Sequence, residues 1–151
     1  MRVSAKADYA IRALAEIASC HPQAVKAERV SQLQNIPTKF LENILLELKH
    51  AHIVQSQRGA EGGYWLARQP EAVTLADVIR AIDGPLANVR GVRPELVEYA
   101  GAARSLQDVW IAVRANLRAV LEQVTIADLV DGKLPDAVIQ LTRDAEAWVS
   151  H

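Results

Sequence analysis

The chain has 151 residues, half of them hydrophobic, and a formal net charge of −1 at pH 7. That length suits one domain, or one small domain with an oligomerisation arm, and the hydrophobic share is enough for a core. One cysteine, Cys20, excludes an internal disulfide framework; the opening Met-Arg-Val-Ser-Ala-Lys has no apolar leader run and no stretch reaches membrane-spanning length, so a cytoplasmic protein is expected. Ser4 to Ser19 is predicted as a helix that Ser4 caps, with Ala10, Leu14, Ile17 and Ala18 as its inner stripe. Cys20 follows as a small core residue, and His21-Pro22-Gln23 breaks the helix. Glu28 to Gln34 reads as a short helix with Val30 and Leu33 inward, and Asn35-Ile36-Pro37 as a turn.

Pro37 sits where the next helix begins, since its fixed φ suits a first turn. Leu41, Ile44, Leu45 and Leu48 then recur at i, i+3, i+4 and i+7, which makes one buried stripe. Thr38, Lys39, Glu42, Asn43 and Lys49 fall away from it and stay available. Two short helices joined by a tight turn form a helix-turn-helix. Ile53 and Val54 start an extended run, Arg58 to Gly63 turns, and Tyr64, Trp65 and Leu66 return, so residues 53–67 form a hairpin with a long, basic-edged tip. That hairpin is the wing of a winged helix, a unit that sets its second helix in a DNA major groove with the wing beside it. The charge distribution agrees: residues 1–70 carry nine Lys and Arg against six Asp and Glu, and residues 71–151 carry eight against twelve.

A helix from Thr74 to Asp83 is expected, with Leu75, Val78, Ile79 and Ile82 inward and Gly84-Pro85 as its stop. Residues 85–103 are the least regular stretch, with one helical turn expected at Glu95 to Tyr99. Ser105 to Val124 is the longest predicted helix. Leu106, Val109, Trp110, Val113, Leu117, Val120, Leu121 and Val124 repeat along it at three and four. About 20 residues make about 30 Å of apolar seam, more than a small winged domain can cover, so burial against the same helix of a second chain is expected. Arg118 and Glu122 pair across one turn of its outer face. Thr125 opens a short helix that Asp131-Gly132 ends, and Pro135 to Val149 reads as a final helix.

The opening Met-Arg-Val-Ser-Ala-Lys-Ala-Asp-Tyr-Ala, the stretch Ile36-Pro-Thr-Lys-Phe-Leu-Glu-Asn-Ile-Leu and above all Gln57-Arg-Gly-Ala-Glu-Gly-Gly-Tyr-Trp-Leu resemble the Rrf-two family of bacterial winged-helix regulators. Thr74-Leu-Ala-Asp-Val-Ile-Arg-Ala-Ile-Asp-Gly-Pro and Thr125-Ile-Ala-Asp-Leu-Val fit the same pattern, so the resemblance covers about residues 1–132. It implies a mainly α fold: a winged helix-turn-helix with a two-stranded wing and a long C-terminal dimerisation helix. It also implies a homodimer on a dyad-symmetric operator of double-stranded DNA, usually a repressor. The implied divisions are a DNA-binding domain at 1–84, a sensor-like loop at 85–104, and the dimerisation and C-terminal helices at 105–151.

Carried onto this chain, the resemblance offers Thr38, Lys39, Glu42 and Asn43 to the major groove. Lys39 suits guanine or a phosphate, Asn43 adenine, and Glu42 cytosine N4, with an ordinary surface acid as the alternative for Glu42. Arg58 would enter a minor groove, and Gly59, Gly62 and Gly63 would let the wing backbone approach the duplex, although a plain hairpin turn needs glycine too.

Cluster-binding members of the family carry three cysteines before the long helix. Here that loop has none, with Arg104 and Gln107 near the corresponding places and only Asp8 matching a carboxylate ligand, so no iron–sulfur cluster, metal or other cofactor is expected. His50 and His52, two apart, make a poor metal pair, and no phosphate-cradling loop, nucleophile elbow or acid–base dyad marks an enzyme. The signal is then a small-molecule effector or a partner protein, with Arg90, Arg93, Tyr99, Arg104 and Trp110 as candidate ligand residues against the plainer reading of solvated arginines over a buried Trp. A winged helix that binds proteins and reads no DNA is the competing function; exposed Lys39, Asn43 and Arg58 argue against it.

Overall fold

The computed structural model describes residues 2–150. The elements run α1 (Ala5–Ser19), α2 (Ala27–Gln34), α3 (Thr38–His50), β1 (Val54–Gln57), β2 (Gly63–Leu66), α4 (Leu75–Asp83), α5 (Leu106–Leu121), α6 (Ile126–Asp131) and α7 (Asp136–Thr142), with short 3-10 turns between. The one sheet found among the described residues is the antiparallel β1–β2 hairpin, in which Val54 pairs with Leu66 and Gln57 with Gly63. The mainly α winged-helix architecture is as expected.

The central core gathers the helical stripes of three elements: Leu14 and Ile17 of α1, Val30 of α2, and Leu41, Ile44, Leu45 and Leu48 of α3, all fully buried. Each such side chain contributes about 1.5–3 kcal/mol of burial free energy. Ser4 caps α1 by accepting from the Ala7 N–H, and half-buried Cys20 packs on the core from its end. Asn35 takes a left-handed conformation (φ 51°) that lets the chain turn sharply between α2 and α3.

Thr74 and Thr125 each close a capping box, with Asp77 and Asp128 respectively. The two caps also form an antiparallel bridge, with the Leu75 N–H donating to Val124 O and the Ile126 N–H to Val73 O, each at 2.9 Å. α4 and α6 therefore start from one point, and α6 packs on α1.

Four expectations change. Leu33 is 56% exposed, not inward, because Gln34 takes the seat against α1, held there by Arg12 and Glu16. The long helix stops at Leu121, and Val124 lies buried in the body at the Thr74–Thr125 bridge, outside any seam. The expected turn at Glu95 to Tyr99 forms at Pro94–Leu96, where proline supplies the starting φ. The last helix breaks after Thr142, because the Asp144 side chain accepts from the Glu146 N–H and starts a separate 3-10 turn at Ala145–Trp148.

Candidate nucleic-acid interface

The helix-turn-helix is pinned by polar contacts around its turn. Arg12 on α1 donates to the Gln34 side chain (3.0 Å) and to its carbonyl, pairs with Asp8 (3.2 Å), and stacks over the Tyr9 ring at 5.1 Å. Tyr9 meets Phe40 edge to face at 5.6 Å. Ser31 donates to Ile36 O at 2.6 Å and its hydroxyl lies 3.0 Å from that of Thr38. α3 is thus fixed on its inner side by the core and at its start by α1 and α2.

Its outer side carries Lys39, Glu42 and Asn43, all exposed and engaged in no side-chain hydrogen bond or ion pair among the described residues, with Thr38 beside them. Leu46 continues the same row and is 51% exposed. The buried stripe of Leu41, Ile44, Leu45 and Leu48 leaves it out. Its register with Lys39, Glu42 and Asn43, at three, four and seven residues, was the available signal. Further along the row, Lys49 donates to the Ser56 hydroxyl at 2.9 Å and ties the helix to β1.

The wing is fixed just as closely. The Val25 and Tyr64 backbones exchange two hydrogen bonds of 2.8 Å, which anchors β2 to the segment before α2. Lys26 Nζ donates to Gly59 O at 2.5 Å, and the Gly62 N–H closes the turn onto Gly59 O at 3.1 Å. Trp65 donates to Gln55 across the strands at 3.0 Å. Arg58 stands exposed at the tip. A shallow recess between α3 and the wing is bounded by Leu46, Lys49, Ser56, Arg58 and Tyr64. The helix row and the wing tip thus flank a common recess.

The three wing glycines have different reasons. Gly59 adopts φ +105° in open space, so only its backbone conformation favours glycine. A Cβ at Gly62 would lie 2.1 Å from Gln57 O, and one at Gly63 2.7 Å from Val25 O.

The five candidate sensor residues separate. Trp110 donates to the Tyr99 hydroxyl at 3.0 Å and lines a cavity of about 300 Å³ with Arg90 and Val113. Arg93 lines a different cleft, and Arg104 is exposed just ahead of α5.

The seam residues of α5 also divide. Leu121 packs against Ala7, Ala76, Ile79 and Leu86, and Leu117 lines a cavity with Ile79 and Leu86. Val109 is 49% exposed, and Ala112, Asn116 and Ala119 are exposed beside it. No residue of α5 is fully buried within the chain.

Comparison with known proteins gives one consistent answer. Residues 3–132 match the family described as "Rrf2: Iron-dependent Transcriptional regulator". A Mycobacterium tuberculosis protein named as an HTH-type transcriptional regulator is 46% identical over 151 residues, covering 99% of this chain and 94% of its own. The regulator CymR of Bacillus subtilis is 33% identical over 132 residues, 85% of this chain and 89% of its own. The solved structure of CymR, titled the global cysteine regulator of that organism, superposes with a TM-score of 0.75 at 30% identity, covering 88% of this chain and 98% of that one. T. potens IscR superposes with a TM-score of 0.67 at 26% identity, covering 100% of this chain and 93% of that one. These relatives and this fold are those of transcriptional regulators, not enzymes.

The iron in that family description does not fit the donors present here. Protein-held iron–sulfur clusters need thiolates. Residues 85–104 offer no cysteine or histidine, and Cys20 lies at the far end of α1. Asp8 is engaged by Arg12, and among the described residues no three of His, Cys, Asp and Glu gather as a metal site. Nor is any helix among them long and apolar enough to cross a membrane.

Proposed function

We propose, since the chain belongs to the Rrf2 family of transcriptional regulators, that it is a cytoplasmic homodimeric repressor that occludes a dyad-symmetric operator. α3 enters the major groove, the wing tip enters the minor groove, and the exposed side of α5 joins the two copies. In this reading residues 1–84 are the DNA-binding domain, 85–104 the sensing loop, and 105–151 the dimerisation helix and C-terminal helices. The carrying observation is the outer row of α3: Lys39, Glu42 and Asn43 stand unpartnered on a rigid helix, and Arg58 stands across the recess from that row. Water satisfies these groups in the free chain, and base edges and phosphates offer acceptors and donors that can replace it for each of them.

Operator DNA selected from the protein's own upstream region tests this. Arg58→Ala is expected to weaken binding and to reduce the salt slope by about one unit. Asn43→Ala should relax base preference at one position per half-site, at about 1–3 kcal/mol. If both variants keep full affinity and selectivity, the helix and wing are not the reading surface.

Leu46 adds an apolar contact to the row, suited to a thymine methyl group. Replacing the facing thymine by deoxyuracil removes one methyl and should cost about 0.8 kcal/mol, roughly fourfold in affinity. In Leu46→Ala the same base change should cost nothing further. Equal losses in both proteins would assign the methyl to another residue.

A further inference from the structure

The fold gathers arginines that the sequence keeps far apart. Arg80 on α4, Arg93 in the loop after it, and Arg114 and Arg118 on α5 line one open cleft of about 410 Å³, floored in part by Leu86. Two carboxylates answer these four guanidinium groups. Glu95 pairs with Arg114, and Glu122 is shared between Arg80 and Arg118. Arg93 has no ion pair or side-chain hydrogen bond among the described residues, so the cleft keeps a surplus of positive charge. Both carboxylates feel it. Hydrogen bonding at its own backbone and then Arg114 hold Glu95 below the usual carboxylate range, and Arg80 followed by Arg118 does the same for Glu122. The loop is also held in place. Pro94 is buried, and the Gln107 amide donates to Pro94 O and Glu95 O at 3.3 Å each.

We propose that this cleft binds a small oxyanion of two or more negative charges, a phosphate ester or a dicarboxylate, as the effector of the regulator. Planar guanidinium forks match the oxygens of either group two at a time, and the cleft has the size of a small-metabolite site. Bound there, the anion ties α4, which belongs to the winged-helix body, to α5, and Arg93 closes over it from the loop. Arg114 and Arg118 occupy a different side of α5 from exposed Ala112, Asn116 and Ala119, so a partner chain on that exposed side leaves the cleft open. Fixing α5 against the body sets the separation of two reading helices in a dimer, and half-site spacing is what an operator selects. An effector that favours one spacing must shift operator affinity, and DNA must shift effector affinity by the same factor. The link to the operator rests on the proposed function; the anion site does not.

The full chain is titrated with inorganic phosphate and with succinate, against sodium chloride at matched ionic strength, and followed by thermal shift. At least one probe should raise the melting temperature above the chloride control. Phosphate alone doing so assigns a phosphoryl group, and succinate alone a dicarboxylate. Arg93→Gln and Arg118→Gln should each weaken binding on the order of tenfold, as expected for the loss of a charge-assisted hydrogen bond. Glu95→Gln should bind the anion more tightly, because it removes a competing carboxylate; a purely structural ion-pair cluster would show only a lower melting temperature. No response beyond chloride in the native chain, or an undiminished response in both arginine variants, overturns the site. Mobility shifts with and without the bound probe then read the coupling: native operator affinity should change and Arg93→Gln affinity should not. Failure of the native chain to bind any DNA sinks the operator reading, while the thermal shifts still decide the anion site.

Discussion

Val109→Glu combined with Val120→Glu is expected to give a folded monomer that no longer binds its operator at concentrations where the native chain is dimeric. α5 is amphipathic within its own chain on one side only: Leu117 and Leu121 face the cavity and cluster formed with Ile79 and Leu86. Val109 is half exposed, with Ala112, Asn116 and Ala119 open beside it. A twofold contact through this side would place four introduced carboxylates in one desolvated patch. Each costs several kcal/mol there, and every 1.4 kcal/mol is tenfold in the dissociation constant. Sedimentation velocity should report the monomer and circular dichroism a retained helix content. Leu117→Glu is the informative contrast, since it strikes the chain's own packing and should lower the melting temperature directly. A folded dimer surviving the double valine change would place the interface elsewhere.

Gly62→Ala is expected to disable the wing. The added methyl would sit 2.1 Å from the Gln57 carbonyl oxygen and 2.7 Å from the Arg58 carbonyl carbon, and backbone on both counts has no rotamer by which to yield. Relief requires opening the β1–β2 turn, and overpacking of this kind costs about 1–3 kcal/mol. Opening also removes the Gly62–Gly59 hydrogen bond and the seat of Lys26 on Gly59, which moves Arg58. Operator affinity should fall by more than in Arg58→Ala, because the whole tip is displaced rather than one side chain. Gly59→Ala meets no atom within 4 Å and bears only the strain of its positive φ, about 1–3 kcal/mol at most. A mobility shift separates the two, since the clash at Gly62 displaces the tip and Gly59 has room for the methyl. Native operator affinity in Gly62→Ala would show that the wing makes no contact with the duplex.

Much of the winged helix was legible in the sequence because its signals are local. The stripe Leu41, Ile44, Leu45 and Leu48 repeats at helical spacing and is fully buried. Thr74 with Asp77 and Thr125 with Asp128 are capping boxes readable three residues apart. The exposed row of Lys39, Glu42 and Asn43 is the complement of the buried stripe, so it came with it. The chemistry of the exposed side of α3 was therefore available before the fold, except at Leu46, where an apolar residue stands on the polar side.

What periodicity left undecided was always a question of partners. A helix of eight residues such as α2 does not say whether Leu33 or Gln34 meets its neighbour, and Arg12 on α1 settles it for Gln34. The heptad-like run on α5 cannot tell an inner from an outer face, because Leu117 and Val109 are equally apolar, and the position of α4 assigns Leu117 to the chain's own cavity. Val124 continues the spacing, yet its carbonyl accepts from the Leu75 N–H beside the Thr74–Thr125 bridge, and it is drawn into the body. The arginine cleft is the extreme case, since Arg80, Arg93, Arg114 and Arg118 share no local pattern. By itself the sequence determined where most helices lie and which side of α3 is buried, because those depend on hydrogen bonds and spacings within a few residues. Only the tertiary structure decided which faces the chain covers and which charges it brings together, because burial and charge clustering depend on contacts that sequence distance does not encode.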